Sequence, residues 1–126
     1  MRNPRPVQQA ALPSVSLRAI GTYLSNEYDN SGGFRGAVAV IDFTVRTGTA
    51  TLTVTIEGYD YTSGKWYTLI ASTALAAVAT TALLTFPGAT VVANSVGQWP
   101  LPGKFRVKAV VAADTATFSV GLELVP

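Results

Sequence analysis

The chain has 126 residues, the length of a single domain, and carries a formal net charge of +2. Hydrophobic residues make up 48% and charged residues only 13%, against roughly 25% charged in typical soluble domains, so the surface suits permanent contact with other chains. Cys and His are both absent, which excludes disulfides, thiolate nucleophiles, Cys/His zinc sites and imidazole catalysis. We therefore predict a protein that is not an enzyme and holds no cofactor.

Residues 1–13 contain three prolines and no helical periodicity, which predicts an extended N-terminal arm. Fully extended, the arm would span up to about 45 Å, enough to reach a neighbouring subunit. A disordered tail is the alternative. Arg2, Arg5 and Arg18 carry the basic excess, and they are too few to predict nucleic-acid binding. We find no apolar run long enough for a signal peptide or a membrane span.

A short strand is predicted at residues 15–20, followed by a long loop at residues 21–33. The loop offers oxygen ligands but lacks the DxDxDG spacing of a calcium site, so a solvated loop without metal is expected. Farther along, the large apolar residues occupy even positions at Val38 and Val40 but odd positions from Ile41 onward. A β-bulge near Val40 would explain this change.

The clearest strand is at residues 51–56, where Leu52, Val54 and Ile56 share one face and threonines occupy the other. The two next strands are predicted at residues 65–71 and 80–86. Ser72 could cap a helix over the alanine-rich stretch between them, but the threonines that follow argue against extending it. Residues 87–103, with two prolines near their end, are predicted to be a loop.

Residues 58–67 are the segment richest in aromatic side chains and are predicted to form a hairpin tip. Its register places Tyr59 opposite Trp66 and Asp60 opposite Lys65, with Ile56 opposite Leu69. The aromatic residues fit three interpretations: a cross-strand pair that stabilises the hairpin, a protein-contact patch, or a sugar-stacking platform. The candidate protein-contact residues are Arg2, Arg5, Val7, Leu12, Tyr59, Tyr61 and Trp66.

Residues 105–111 and 118–124 alternate strictly, and we expect them to pair with Val111 opposite Phe118 and Arg106 opposite Glu123. Seven or eight short strands in all predict an all-β fold, an antiparallel β-sandwich of jelly-roll-like type over residues 14–126.

The charged residues on predicted strands show no catalytic arrangement. Asp42 and Glu57 are far apart in sequence, and their spacing does not make them a general acid and base. Lys104, Arg106 and Lys108 form a positive stripe on one strand face. This stripe is either a solvated surface or, less simply, an anchor for an acidic partner.

Several strand and turn signatures are spread over residues 34–125. They are Arg35-Gly36, Ile41-Asp42, Leu52-Thr53-Val54-Thr55-Ile56-Glu57-Gly58, Ser63-Gly64-Lys65-Trp66-Tyr67-Thr68-Leu69, Phe86-Pro87-Gly88 and Phe118-Ser119-Val120-Gly121. The set resembles small virion structural proteins of tailed bacteriophages, most of all a capsid decoration (cement) protein.

The resemblance implies a β-sandwich subunit on the outside of a virion, made in the host bacterial cytoplasm. Its expected partners are the major capsid protein and copies of itself, as a trimer or dimer, with no nucleic acid, membrane or small-molecule substrate. A neck or tail location in the same particle is the alternative within the family. A carbohydrate-binding adhesion module is the rival from another functional class.

Overall fold

The computed structural model describes the backbone of residues 7–126 and the side chains from Ala10 onward. Across this part of the chain there are ten strands and no helix. The strands are β1 (Val7–Leu12), β2 (Gly21–Leu24), β3 (Tyr28–Asp29), β4 (Gly36–Arg46), β5 (Thr51–Asp60), β6 (Lys65–Ala71), β7 (Ala79–Thr85), β8 (Val96–Gly97), β9 (Lys104–Ala112) and β10 (Ala116–Val125).

The strands form two sheets that pack face to face. The first sheet has the order β1-β10-β4-β7-β8, and the second has the order β2-β9-β5-β6, with β3 also paired to β9. Every pairing is antiparallel except the short contact between β7 and β8. Without the two-residue strands β3 and β8, each sheet keeps four strands in the order of a jelly roll. The predicted all-β sandwich is confirmed.

Alternate side chains from both sheets fill the space between them. The largest fully buried side chains include Phe43, Phe105 and Phe118. In β9 and β10 every second residue is buried, as the sequence alternation predicts. This alternation is what commits one face of each strand to the core.

The predicted pairing of β9 with β10 is wrong, because the two strands belong to different sheets. Val111 lies opposite Gly21 and Leu52, and Arg106 lies opposite Glu57 rather than Glu123. Alternation specifies which face of a strand is buried but does not specify its neighbour. The turn after β9, with Ala113 at a φ of 70°, carries the chain across to the other sheet.

The bulge predicted near Val40 is also absent from that position. Ala37 and Ala39 are fully buried on the same face as Ile41, so β4 keeps one parity there and its valines point outward. The register shift lies farther along, at Thr44. The inward positions there hold small alanines, so a prediction based on the large side chains assigned the wrong face to the core.

A second irregularity shifts the β5–β6 register. Ile56 lies opposite Ile70, and Glu57 lies opposite Thr68, so Leu69 is the extra residue. The predicted pairing of Ile56 with Leu69 is therefore displaced by one position. A bulge of this kind cannot be read from an otherwise regular alternation.

The N-terminal segment is extended from residue 7 onward, but it lies within the sandwich. Strand β1 pairs with β10 along the edge of the first sheet. Leu12, a predicted contact residue, is only 5% exposed and belongs to the core of its own chain. Arg2 and Arg5 lie outside the described residues, and for Val7 the description covers the backbone alone.

The structure differs in detail from the predicted loops and from the predicted strand at residues 15–20. That strand is reduced to a single bridge between Arg18 and Ala116, since Leu17 has a φ of 47° that interrupts an extended path. The loop at residues 21–33 contains β2 and β3, and the loop at residues 87–103 contains β8.

Candidate interaction surfaces

The β5–β6 hairpin has the predicted register at its tip, with Tyr59 opposite Trp66 and Asp60 opposite Lys65. Asp60 holds the turn closed. Its carboxylate accepts hydrogen bonds from the Ser63 hydroxyl at 2.7 Å and from the backbone N–H of Thr62 at 3.1 Å. These bonds, the Ser63 hydroxyl first, lower the pKa of Asp60 below its usual value.

Tyr59, Trp66, Lys104 and Arg106 form an aromatic–cation cluster on the outer face of the second sheet. The rings of Tyr59 and Trp66 meet edge to face, with 5.0 Å between their centroids. The Arg106 guanidinium lies 4.0 Å from the Trp66 centroid, and Lys104 Nζ lies 4.7 Å from the Tyr59 centroid. Trp66 is therefore covered by its own chain, which supports the interpretation as a hairpin-stabilising pair.

The positive stripe on β9 lies on this outer face, where carboxylates neutralise it. Glu57, 5% exposed, accepts a hydrogen bond from Arg106 Nε at 2.9 Å, and Lys108 Nζ lies 3.3 Å from its other oxygen. Lys104 Nζ lies 2.9 Å from Glu27, and this hydrogen bond raises the pKa of Lys104. All three cations of the stripe have acidic partners, so the stripe is a poor anchor for an acidic molecule.

A pocket of about 370 Å³ opens beside the hairpin tip. Its lining residues come from β5, the turn, β6 and the loop before β9: Tyr59, Asp60, Ser63, Lys65, Tyr67 and Trp99. Trp99 is 55% exposed and Tyr67 is 39% exposed. Neither residue is among the predicted contact residues, although Tyr67 belongs to the predicted hairpin segment. Trp99 lies more than thirty positions after the hairpin, so the sequence does not link the two.

The outer face of the first sheet carries the other surface that sequence reasoning missed. We call it the apolar face; its members are Val38, Val40, Ala82, Leu84 and Gly121, which share neighbouring rows on β4, β7 and β10. Val40, at its centre, is 40% exposed. Glu123 lies directly opposite Val38, in the same row as Leu84, and Asp42 is the next outward residue after Val40. No Lys or Arg among the described residues shares this face.

Tyr61, the third predicted aromatic contact residue, is 70% exposed and meets the Tyr59 ring edge to face at 5.1 Å.

Asn30 lies in the loop whose oxygen atoms were considered as metal ligands. Its side chain forms hydrogen bonds with the backbone of Phe34 and Leu101 and so holds the loop closed. Within residues 7–126 no three acidic side chains are grouped to hold a metal ion. Nor does this part of the chain contain a helix long and apolar enough to cross a membrane.

Comparison of the chain with protein-family models, with curated proteins and with solved structures found no match.

Proposed function

We propose that the chain is a non-enzymatic structural subunit of a bacteriophage virion, a capsid decoration protein that associates through its apolar face. The apolar face is the observation that carries the proposal. The outward positions of an antiparallel sheet are normally polar when water covers them. Here Val38, Val40 and Leu84 point outward from adjacent strands.

The contrast with the other sheet supports this assignment. The outer face of the second sheet carries threonines and the Glu57 ion pairs, and its tryptophan is already packed under Arg106. The centre of a protein interface is typically depleted of charged residues and enriched in apolar ones. The apolar face has that composition around Val40, with Glu123 at its rim, so we propose the main contact there rather than on the hairpin aromatic residues.

The size of the apolar face indicates how it would be used. The apolar face covers three strands about 4.8 Å apart and about 14 Å along each of them, roughly 200 Å² on each partner. This is below the roughly 800 Å² per partner of a standard stable interface. A single contact would therefore be weak, and a dimer or trimer that engages a repeating shell at several points would gain the affinity that one contact lacks.

The proposed partners are the major capsid protein and further copies of this chain, at the outer surface of the particle. The resemblance to phage virion proteins supports this choice, as does a jelly-roll sandwich, an architecture common in viral shells. The absence of Cys and His from the sequence fits a structural role but does not by itself point to one.

A pair of matched variants tests the proposal. Val40→Lys places a charge at the centre of the apolar face, whereas Thr53→Lys places the same charge on an outward position of the second sheet. We expect Val40→Lys to weaken binding to undecorated capsids, measured by co-sedimentation, roughly 30-fold or more. This corresponds to a loss of about 2 kcal/mol in binding free energy. Thr53→Lys should bind like the parent chain.

The opposite result would overturn the assignment of the face. If Thr53→Lys or Trp66→Ala abolishes binding and Val40→Lys does not, the contact lies on the second sheet. Thermal unfolding of each variant verifies that it is folded. The oligomer mass of each, measured by sedimentation equilibrium, separates contacts between copies from contacts with the shell.

A further inference from the structure

The pocket beside the hairpin tip has the size of a ligand site. Its volume of about 370 Å³ falls at the lower end of the roughly 300–1,000 Å³ typical of small-molecule sites. It lies at the end of the second sheet, and none of its lining residues belongs to the apolar face. A ligand of one or two rings would fit it.

Two flat aromatic rings are presented to this pocket without a stacking partner. Tyr67 and Trp99 are both substantially exposed, and neither ring pairs with another aromatic ring in the part of the chain that the structure describes. Exposed aromatic rings offer apolar faces and a polar edge at once. A ligand with a flat apolar face and a hydroxylated edge matches them.

The polar groups around the pocket supply both donors and an acceptor. Lys65 forms no ion pair with another described residue, so its ammonium group is available as a donor. The Asp60 carboxylate is oriented by Ser63 and Thr62 and retains acceptor capacity, since a carboxylate offers about four lone-pair sites. Sugar hydroxyls donate and accept hydrogen bonds together, which suits this combination.

The Tyr67 wall of the pocket and the backbone at Trp99 are already held in place. A Cβ at Gly58 would lie 2.7 Å from Tyr67 Cζ and 2.8 Å from Pro102 Cγ, so these two side chains pack directly onto the strand. The Trp99 carbonyl accepts a hydrogen bond from the Thr85 hydroxyl at 2.7 Å. A preformed site binds its ligand without a large ordering cost.

We propose that this pocket binds a carbohydrate, with a pyranose ring stacked on Tyr67 or Trp99 and its hydroxyls bonded to Asp60 and Lys65. A neutral sugar is favoured over a phosphorylated ligand, because the Asp60 carboxylate would repel a phosphate. The activity is separate from capsid decoration and does not depend on it. In a decorated particle it would hold glycans at the virion surface.

The test uses the purified full-length chain on an array of neutral mono- and oligosaccharides, followed by titration calorimetry with the best-bound sugar. Trp99→Ala and Asp60→Asn should each weaken binding at least tenfold. Tyr61→Ala is the matched control, since this exposed aromatic residue belongs to the same hairpin but does not line the pocket. It should bind like the parent.

Two outcomes would overturn the proposal. One is that the parent chain binds no neutral sugar on the array. The other is that binding is retained in both Trp99→Ala and Tyr67→Ala, or is lost equally in Tyr61→Ala. Capsid co-sedimentation of Trp99→Ala, expected to equal that of the parent, distinguishes failure of this site from failure of the decoration proposal.

Discussion

Removal of Glu57 is the sharpest test of the electrostatics of the second sheet. Glu57 is 5% exposed, and its carboxylate is shared by Arg106 at 2.9 Å and Lys108 at 3.3 Å. A charge-assisted hydrogen bond of this kind contributes about 1.5–3 kcal/mol. The Lys108 contact adds less than about 1 kcal/mol, because that side chain is one-third exposed and solvent screens the pair.

Glu57→Ala should therefore lower the free energy of unfolding by about 2–4 kcal/mol, since it also leaves the Arg106 guanidinium poorly solvated. For a domain of this length, this corresponds to a fall in Tm of about 6–16 °C. Differential scanning calorimetry and urea unfolding at neutral pH would measure it.

Glu27→Ala is the matched control. It removes the same kind of group, a carboxylate paired with a cation of β9, but Glu27 lies between β2 and β3 and is half exposed in its contact with Lys104, so we expect almost no change in Tm. Equal losses in the two variants would refute the reasoning, because they would show that burial does not decide the strength of these ion pairs.

Three further predictions concern the edges of the fold. Deletion of residues 1–12 should lower Tm markedly, because Leu12 is buried in the core and loss of such a side chain costs about 2–5 kcal/mol; an unchanged Tm would contradict the place of β1 in the sandwich. The lowered pKa of Asp60 means that its stabilisation of the turn is complete above the pKa of the unfolded chain and is lost as pH falls through the folded value. The protection factors of the turn amides, which are exchange rates corrected for the intrinsic effect of pH, should fall over that acidic range in the parent. In Asp60→Asn they should not change with pH. Gly58→Ala should displace Tyr67 and weaken sugar binding; unaltered binding would show that the pocket wall is not fixed there.

The fold class could be predicted because alternation marks strands directly. The hairpin tip was predictable to the residue, since Tyr59 and Trp66 flank a short turn with few alternative registers. The strand neighbours were not predictable in the same way. Phe118 points into the core whichever strand lies beside it, and the choice between sheets depends on contacts that are distant in sequence.

The candidate surfaces were harder to predict for related reasons. Val38 and Val40 look like core residues in the sequence, and only the burial of Ala37 and Ala39 shows that the valines face outward. The pocket joins Trp99 to the hairpin across a long loop. No local pattern encodes that approach.

The most direct test of the central claim is a reconstruction of the phage capsid with the chain bound. We predict that Val38 and Val40 lie against the shell or against a neighbouring copy, so that the apolar face is covered in the particle. A particle in which this chain is present but the apolar face is open to solvent would contradict the account.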